Sequence, residues 1–154
     1  MSDGGRRERA LRVLVVNGPN LNLLGTREPA IYGRETLAEV NAGTAARAAE
    51  LGTEVAFFQS NHEGALIDRL QQRDFDAAIV NAGGLTHTSV SLRDALLAIE
   101  RPFVEVHLSD PATREPFRRV NFLEDIALAR FVGMKAAGYH RALEELVRRW
   151  NAGE

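Results

Sequence analysis

The sequence predicts an α/β fold in which helices cover both faces of a five-stranded parallel sheet. Two observations predict it. Short apolar runs, each closed by a turn signal, alternate along the chain with longer segments whose apolar residues recur every three or four positions. The run ending at Asn17 is continuously apolar from Val13 to Val16, as a strand buried on both faces requires. At 154 residues the chain suits one domain, and a domain of this size buries about 70% of the surface its unfolded chain exposes.

The first ten residues, MSDGGRRERA, are small, polar and charged; they are expected to form a disordered arm ahead of a single domain over 11–150. The apolar run after them is too short for a signal or membrane segment, so a cytoplasmic location is the expectation. Leu11 to Asn17 reads as a central strand ending in Gly18-Pro19. Thr36 and Glu39 have capping-box spacing, and Leu37, Val40, Thr44, Ala48 and Leu51 then line one helical face as far as Gly52.

Glu54 to Gln59 is a second strand, and Ser60 with Glu63 repeats the capping-box spacing ahead of a helix burying Leu66, Ile67 and Leu70. Asp76 to Asn81 is the third strand, followed by Ala82-Gly83-Gly84-Leu85 and a helix with Val90, Leu92, Leu96 and Ile99 inward. Pro102 to His107 is the fourth strand. The stretch 109–125, with two prolines and several charges, reads as irregular. A short strand near Arg130 to Met134 and an amphipathic helix carrying Tyr139, Ala142, Leu143, Leu146, Val147 and Trp150 close the chain. A flavodoxin-like three-layer sandwich is the arrangement expected.

Composition excludes several functions. There are no cysteines, hence no disulfide framework, thiolate zinc site or cysteine nucleophile. A formal charge of -2, from 19 basic and 21 acidic residues, does not suit a nucleic-acid or membrane-surface protein. Gly18-Pro19-Asn20 matches neither phosphate-binding glycine motif, and Pro19 lacks the N–H such a cradle uses. A phospho-receiver needs carboxylates where Asn17 and Asn81 stand. His62-Glu63 lacks a second imidazole one turn on, and no G-x-S-x-G elbow occurs.

Parallel strands place all their carboxyl ends on one edge. The turns after Asn17, Gln59, Asn81 and His107 therefore converge, bringing together Tyr32, two histidines (His87 and His107), carboxamides, hydroxyls, and Arg27 and Arg118 to draw an anion. That set suits proton abstraction beside a carbonyl followed by acid-assisted loss of a leaving group, with no cofactor.

Four blocks, NGPNLNLLGTREPAIYG (Asn17 to Gly33), QSNHEG (Gln59 to Gly64), NAGGLTHTSVSLRDAL (Asn81 to Leu96) and EVHLS (Glu105 to Ser109), resemble in content and order the signatures of type II 3-dehydroquinate dehydratase. The resemblance runs from about Leu11 to the final helix. It implies a flavodoxin-like fold, a homododecamer of four trimers, and a lyase turning 3-dehydroquinate into 3-dehydroshikimate by anti elimination of water through an enolate, without a Schiff base or cofactor.

Carried over residue by residue, the resemblance makes Tyr32 the base and His107 the acid that protonates the departing C1 hydroxyl. Asn20 supports the enolate oxygen. A phenol is mostly protonated near neutrality, so a charge must favour its anion, and Arg27 on the same loop is the expected source. Gly25, Pro29 and Gly33 frame that loop as a lid. Glu105, two residues before His107 and so on the same strand face, is the expected orienting partner. Asn81 and the N–H groups of Leu108 and Ser109 match the substrate-carboxylate site, His87 and Arg118 the hydroxyl-binding positions, and Asp94 a residue reaching into a neighbouring subunit.

Departures from the family pattern lie in the second half. Asp110-Pro111-Ala112-Thr113 and Val120-Asn121-Phe122 replace more usual runs, and Arg130 and Lys135 interrupt a region normally apolar and glycine-rich. They leave two alternatives open: a catalytically weakened homologue with a binding or regulatory role, and a lyase for a related hydroxylated ring acid.

Overall fold

The computed structural model describes residues 9–154. Strands β1 (Arg12–Asn17), β2 (Glu54–Gln59), β3 (Ala77–Asn81), β4 (Phe103–His107) and β5 (Arg130–Val132) form one sheet in the order β2-β1-β3-β4-β5. Every pairing is parallel, which is the flavodoxin-like order expected. Around it lie a single turn, α1 (Pro29–Tyr32), and the longer helices α2 (Leu37–Glu50), α3 (Glu63–Gln71), α4 (Val90–Ala98) and α5 (Ala137–Asn151).

The two-residue period of the strands splits the core into two layers. Val13, Val15, Ile79, Val104 and Val106 face α2 and α5, where they meet Val40, Ala48, Leu143 and Leu146. Leu14, Val16, Ala78, Val80 and Phe103 face α3 and α4, against Leu66, Leu70, Leu92 and Leu96. Each fully buried aliphatic side chain contributes about 1.5–3 kcal/mol, so the rigid sheet that carries the site is held from both sides.

One expected capping box forms and the other does not. At α2 the Thr36 hydroxyl accepts from the Glu39 N–H at 3.2 Å, and the Glu39 carboxylate accepts from the Thr36 N–H at 3.0 Å. At α3 the cap is His62, because the Ser60 N–H donates to the Asn17 carbonyl at 3.1 Å and keeps Ser60 in extended chain. Glu63 accepts instead from the Ser89 hydroxyl, tying the start of α3 to that of α4. Ser89 also accepts from the Leu92 N–H at 2.8 Å, and the helix phase it sets leaves Val90 outside and exposed rather than buried as expected.

The irregular stretch contains two short 3-10 turns, Pro111–Thr113 and Pro116–Arg119, and is anchored by Leu123, which is buried in the core. Residues 1–8 of the expected arm lie outside the described residues. At the described end of that arm, the Arg9 guanidinium donates twice to the Asp76 carboxylate, at 2.8 and 2.9 Å, and lies 5.2 Å from the Trp150 ring centroid. No helix among the described residues is long and apolar enough to cross a membrane.

Burial pushes the Asp76 carboxyl up, but hydrogen bonds from the Arg9 and Arg12 side chains and the Arg12 N–H outweigh it, holding the group well below the usual carboxylate range. A depressed folded-state value gives stability that is present above the unfolded pKa, near 4, and is lost as the pH falls below it. Asp76→Asn is therefore expected to lower Tm by about 2–5 °C at pH 7, with the gap from the parent narrowing below pH 4. Thermal melts at pH 7, 4 and 2.5 check this, and a gap constant across them contradicts it.

Candidate active site

Register brings the strand ends level: Asn17 pairs with Gln59 on one side and Asn81 on the other. The next residue, Gly18, donates its N–H to the Asn81 carbonyl at 2.8 Å. A Cβ there would lie 2.4 Å from the Ala82 carbonyl oxygen, closer than any side chain tolerates, so glycine alone lets the two loops touch. The loop after β1 thus bends over the end of β3. Asn20 follows in a left-handed conformation, φ 72°, with its N–H on Asn61 Oδ1 at 2.9 Å.

A cavity of about 120 Å³ opens at this edge. Asn20, Arg27, Tyr32, Asn81, His87, His107, Leu108, Ser109 and Arg118 all line it, so every nominated residue but one converges there. The exception, Asp94, is exposed on α4 and outside this cavity. His62 is exposed at the cap of α3, and His140 packs on α5 near Gly43.

One wall is Tyr32. The Arg27 guanidinium stacks 4.4 Å from the Tyr32 ring centroid, while Arg114, which sequence reasoning missed, donates to the phenolic oxygen at 2.7 Å. Arg27, the expected source of charge, lies on the ring face, and Arg114 meets the oxygen. A signal was available. Thr26-Arg27-Glu28-Pro29 recurs as Thr113-Arg114-Glu115-Pro116, each proline opening a short helix after a glutamate cap.

The opposite wall is His107, whose Nε2 stands 2.5 Å from Glu105 Oε2. Glu105 is entirely buried, and its carboxylate also accepts from Asn121 Nδ2 at 2.7 Å and Arg130 Nε at 2.9 Å. Burial alone pushes this carboxyl up; the hydrogen bonds and charges of His107, Asn121 and Arg130 outweigh it and hold the group below its ordinary range. Arg130 pairs with Glu105 across the β4–β5 ladder. The charge that interrupts the apolar pattern of β5 is thereby accounted for.

The third wall is made of backbone N–H groups and polar side chains. The carbonyls of His107 and Leu108 accept from the N–H groups of Gly133, at 3.2 Å, and Lys135, at 3.0 Å. The trans peptides send the Leu108 and Ser109 N–H groups the other way. Asn81 Oδ1 accepts from the Gly83 N–H at 3.2 Å. His87 Nδ1 lies 2.6 Å from the Val120 carbonyl and must be the protonated nitrogen there, so Nε2 is the acceptor in the neutral ring. Burial pushes His87 down, favouring that neutral form. Arg118 is steadied by Glu115 at 2.8 Å.

A guanidinium-paired phenol, a carboxylate-paired imidazole and a set of fixed donors surrounding one small cavity suit acid–base chemistry on a polar anionic molecule. Among the described residues, no group of three or more His, Asp or Glu is placed to hold a metal ion. The model of the family described as dehydroquinase class II matches residues 11–147. The chain belongs to this family.

It is 53% identical over 139 residues to the 3-dehydroquinate dehydratase of Sodalis glossinidius, covering 89% of this chain and 93% of that protein. It is 52% identical over 136 residues to the catabolic 3-dehydroquinase 1 of Aspergillus fumigatus, covering 87% and 91%. The crystal structure of a type II dehydroquinase from Butyrivibrio crossotus superposes with a TM-score of 0.87 at 38% identity, covering 89% of this chain and 97% of that one. The family frame therefore spans all three walls of the cavity.

The contact at Gly18 is a structural requirement of this arrangement of loops. Gly18→Ala is expected to cost about 3 kcal/mol or more, or to abolish soluble expression, since the Cβ meets backbone on the neighbouring loop. Urea denaturation measures it, and a cost under about 1 kcal/mol would show that the loops can separate.

Proposed function

We propose that this chain dehydrates 3-dehydroquinate to 3-dehydroshikimate by anti elimination through an enolate, as the names of its relatives suggest. What supports this is the placement of two differently partnered groups, Tyr32 with Arg114 and His107 with Glu105, on one cavity beside the donors of Asn81, Leu108 and Ser109.

In this mechanism the Tyr32 oxygen takes the proton on the carbon beside the ketone. Arg114, donating to that oxygen at 2.7 Å, stabilises the negative charge the base must carry to do so, and Arg27 on the ring face adds to the same field. The electrons move into an enolate whose oxygen Asn20 supports through neutral hydrogen bonding. Collapse of the enolate expels the C1 hydroxyl, and His107 protonates it so that it leaves as water. Because Nε2 faces Glu105, the proton comes from Nδ1. Glu105 holds the ring in that orientation and balances its charge.

The substrate carboxylate sits against Asn81 and the Leu108 and Ser109 N–H groups, with His87 and Arg118 on the ring hydroxyls. The lid around Gly25, Pro29 and Gly33 closes over the ring and excludes water. Every step uses groups of the chain itself and needs no cofactor. Relatives at similar identity include a plainly named dehydratase and a catabolic one; the reaction, rather than the direction of the pathway, is what they have in common.

The assembly is a homododecamer built from trimers, in which Asp94 enters a neighbouring site. Val90, Asp94 and Leu97 fall on one stripe of α4, and Val90 and Leu97 are about half exposed, at 53% and 51%. Such an apolar stripe around one carboxylate suits contact with a second copy. Leu97→Glu is expected to disperse the assembly in analytical ultracentrifugation and to raise KM while leaving the fold intact; an unchanged sedimentation coefficient would remove this face from the contact.

The reaction itself is tested by adding 3-dehydroquinate to metal-free, assembled protein and following the ultraviolet absorbance of the conjugated enone. No turnover would overturn the proposal. Tyr32→Phe is expected to lower kcat by about 10²-fold or more with a small change in KM, and Arg114→Leu to act in the same sense but less strongly. Near-normal kcat in Tyr32→Phe would take the base role from Tyr32. Borohydride with substrate should leave activity intact, and a trapped covalent adduct would replace the enolate path by an imine.

A further inference from the structure

Tyr139 is the largest fully buried side chain among the described residues, yet it carries a hydroxyl. It stands near the start of α5, where Gly138 brings the helix against β4: a Cβ on Gly138 would lie 3.3 Å from Val106 Cγ1. Asn17 and Asn81 are the last residues of β1 and β3, paired in register, and both fall on the side of the sheet that faces α5. The Tyr139 hydroxyl lies between them, bonded to Asn17 Oδ1 and, at 3.0 Å, to Asn81 Nδ2.

The direction of every bond in this chain follows from one backbone donor. The Gly83 N–H can only donate, and it lies 3.2 Å from a terminal atom of the Asn81 amide, which must therefore be the oxygen. The other terminal atom is the NH₂ group, and one of its hydrogens goes to the Tyr139 oxygen. Having accepted there, Tyr139 directs its single proton to Asn17 Oδ1. One N–H of Asn81 is left, and Asn81, though almost wholly buried, lines the cavity.

We propose that Tyr139 is a positioning residue: by accepting from Asn81 and donating to Asn17, it locks the Asn81 amide in the rotamer that offers a donor, rather than an acceptor, to the substrate carboxylate. The inference rests on the carboxylate site proposed above. An Asn81 amide turned over would place a carbonyl oxygen against an anion and lose both the attraction and the Gly83 bond. Burial pushes the Tyr139 phenol far up, so it stays neutral and keeps the proton that the chain of bonds requires. Sequence spacing could not find this residue, since its position on an amphipathic face reads as core.

The test is a double-mutant cycle with Tyr139→Phe, which keeps the ring and removes only the hydroxyl, and Asn81→Ala. Tyr139→Phe alone is expected to raise KM for 3-dehydroquinate about tenfold, as loss of one hydrogen bond to a charged group would, with kcat changed less than about threefold. In the Asn81→Ala background the same substitution is expected to change KM less than about twofold, because its target is gone. Equal effects in both backgrounds would make Tyr139 a general core support and overturn the inference. So would an unchanged KM in Tyr139→Phe while Asn81→Ala raises it. If Asn81→Ala leaves KM unchanged, the carboxylate site is wrongly placed and the inference falls with it. Thermal melts of the single variants separate loss of fold from loss of orientation.

Discussion

The site depends on how closely two loops can pass. The missing side chain at position 18 lets the backbone leaving β1 lie directly on the carbonyl of Ala82, and the Gly18 N–H closes the gap by pairing with Asn81. Because strand register is set by hydrophobic burial on both faces, that contact fixes where the loop carrying Asn20, Arg27 and Tyr32 leaves the sheet edge. The cavity is thus a property of the sheet, with loop residues placed on its rim.

The fold was largely legible in the sequence because its strands and helices have distinct periods, and the capping box at Thr36 and Glu39 marks one helix start where the structure has it. Ser60 misled because its N–H is claimed by the neighbouring strand, a tertiary demand that overrides local spacing. Val90 misled because the phase of a helix is set by its cap, one residue earlier. At the site, the residues on strand ends and their turns were legible, since direction alone sends them to one edge.

What stayed hidden were partners that meet only through tertiary structure. Arg114 approaches Tyr32 from 82 positions away, Arg130 reaches Glu105 from the next strand, and Tyr139 arrives from the last helix. Arg130 and Tyr139 belong to no local pattern that implies their roles, and the recurring Thr-Arg-Glu-Pro run marks Arg114 without saying which side chain it meets. The net charge misleads in the same way: a chain of formal charge -2 gathers Arg27, Arg114 and Arg118 at one cavity, so its field is positive where an anion has to enter.

The buried carboxylate of Glu105 carries a consequence for how such a chain can change over time. Removing Arg130 leaves Glu105 still bonded to His107 and Asn121, whereas removing Glu105 takes from the imidazole and the amide their common partner and leaves Arg130 with Glu124 at 3.2 Å. The two positions are therefore unequal: the arginine stands partly in solvent and the glutamate does not, so a change at Arg130 is borne more easily than one at Glu105. What the sheet edge tolerates is in this way tied to what the imidazole beside it needs.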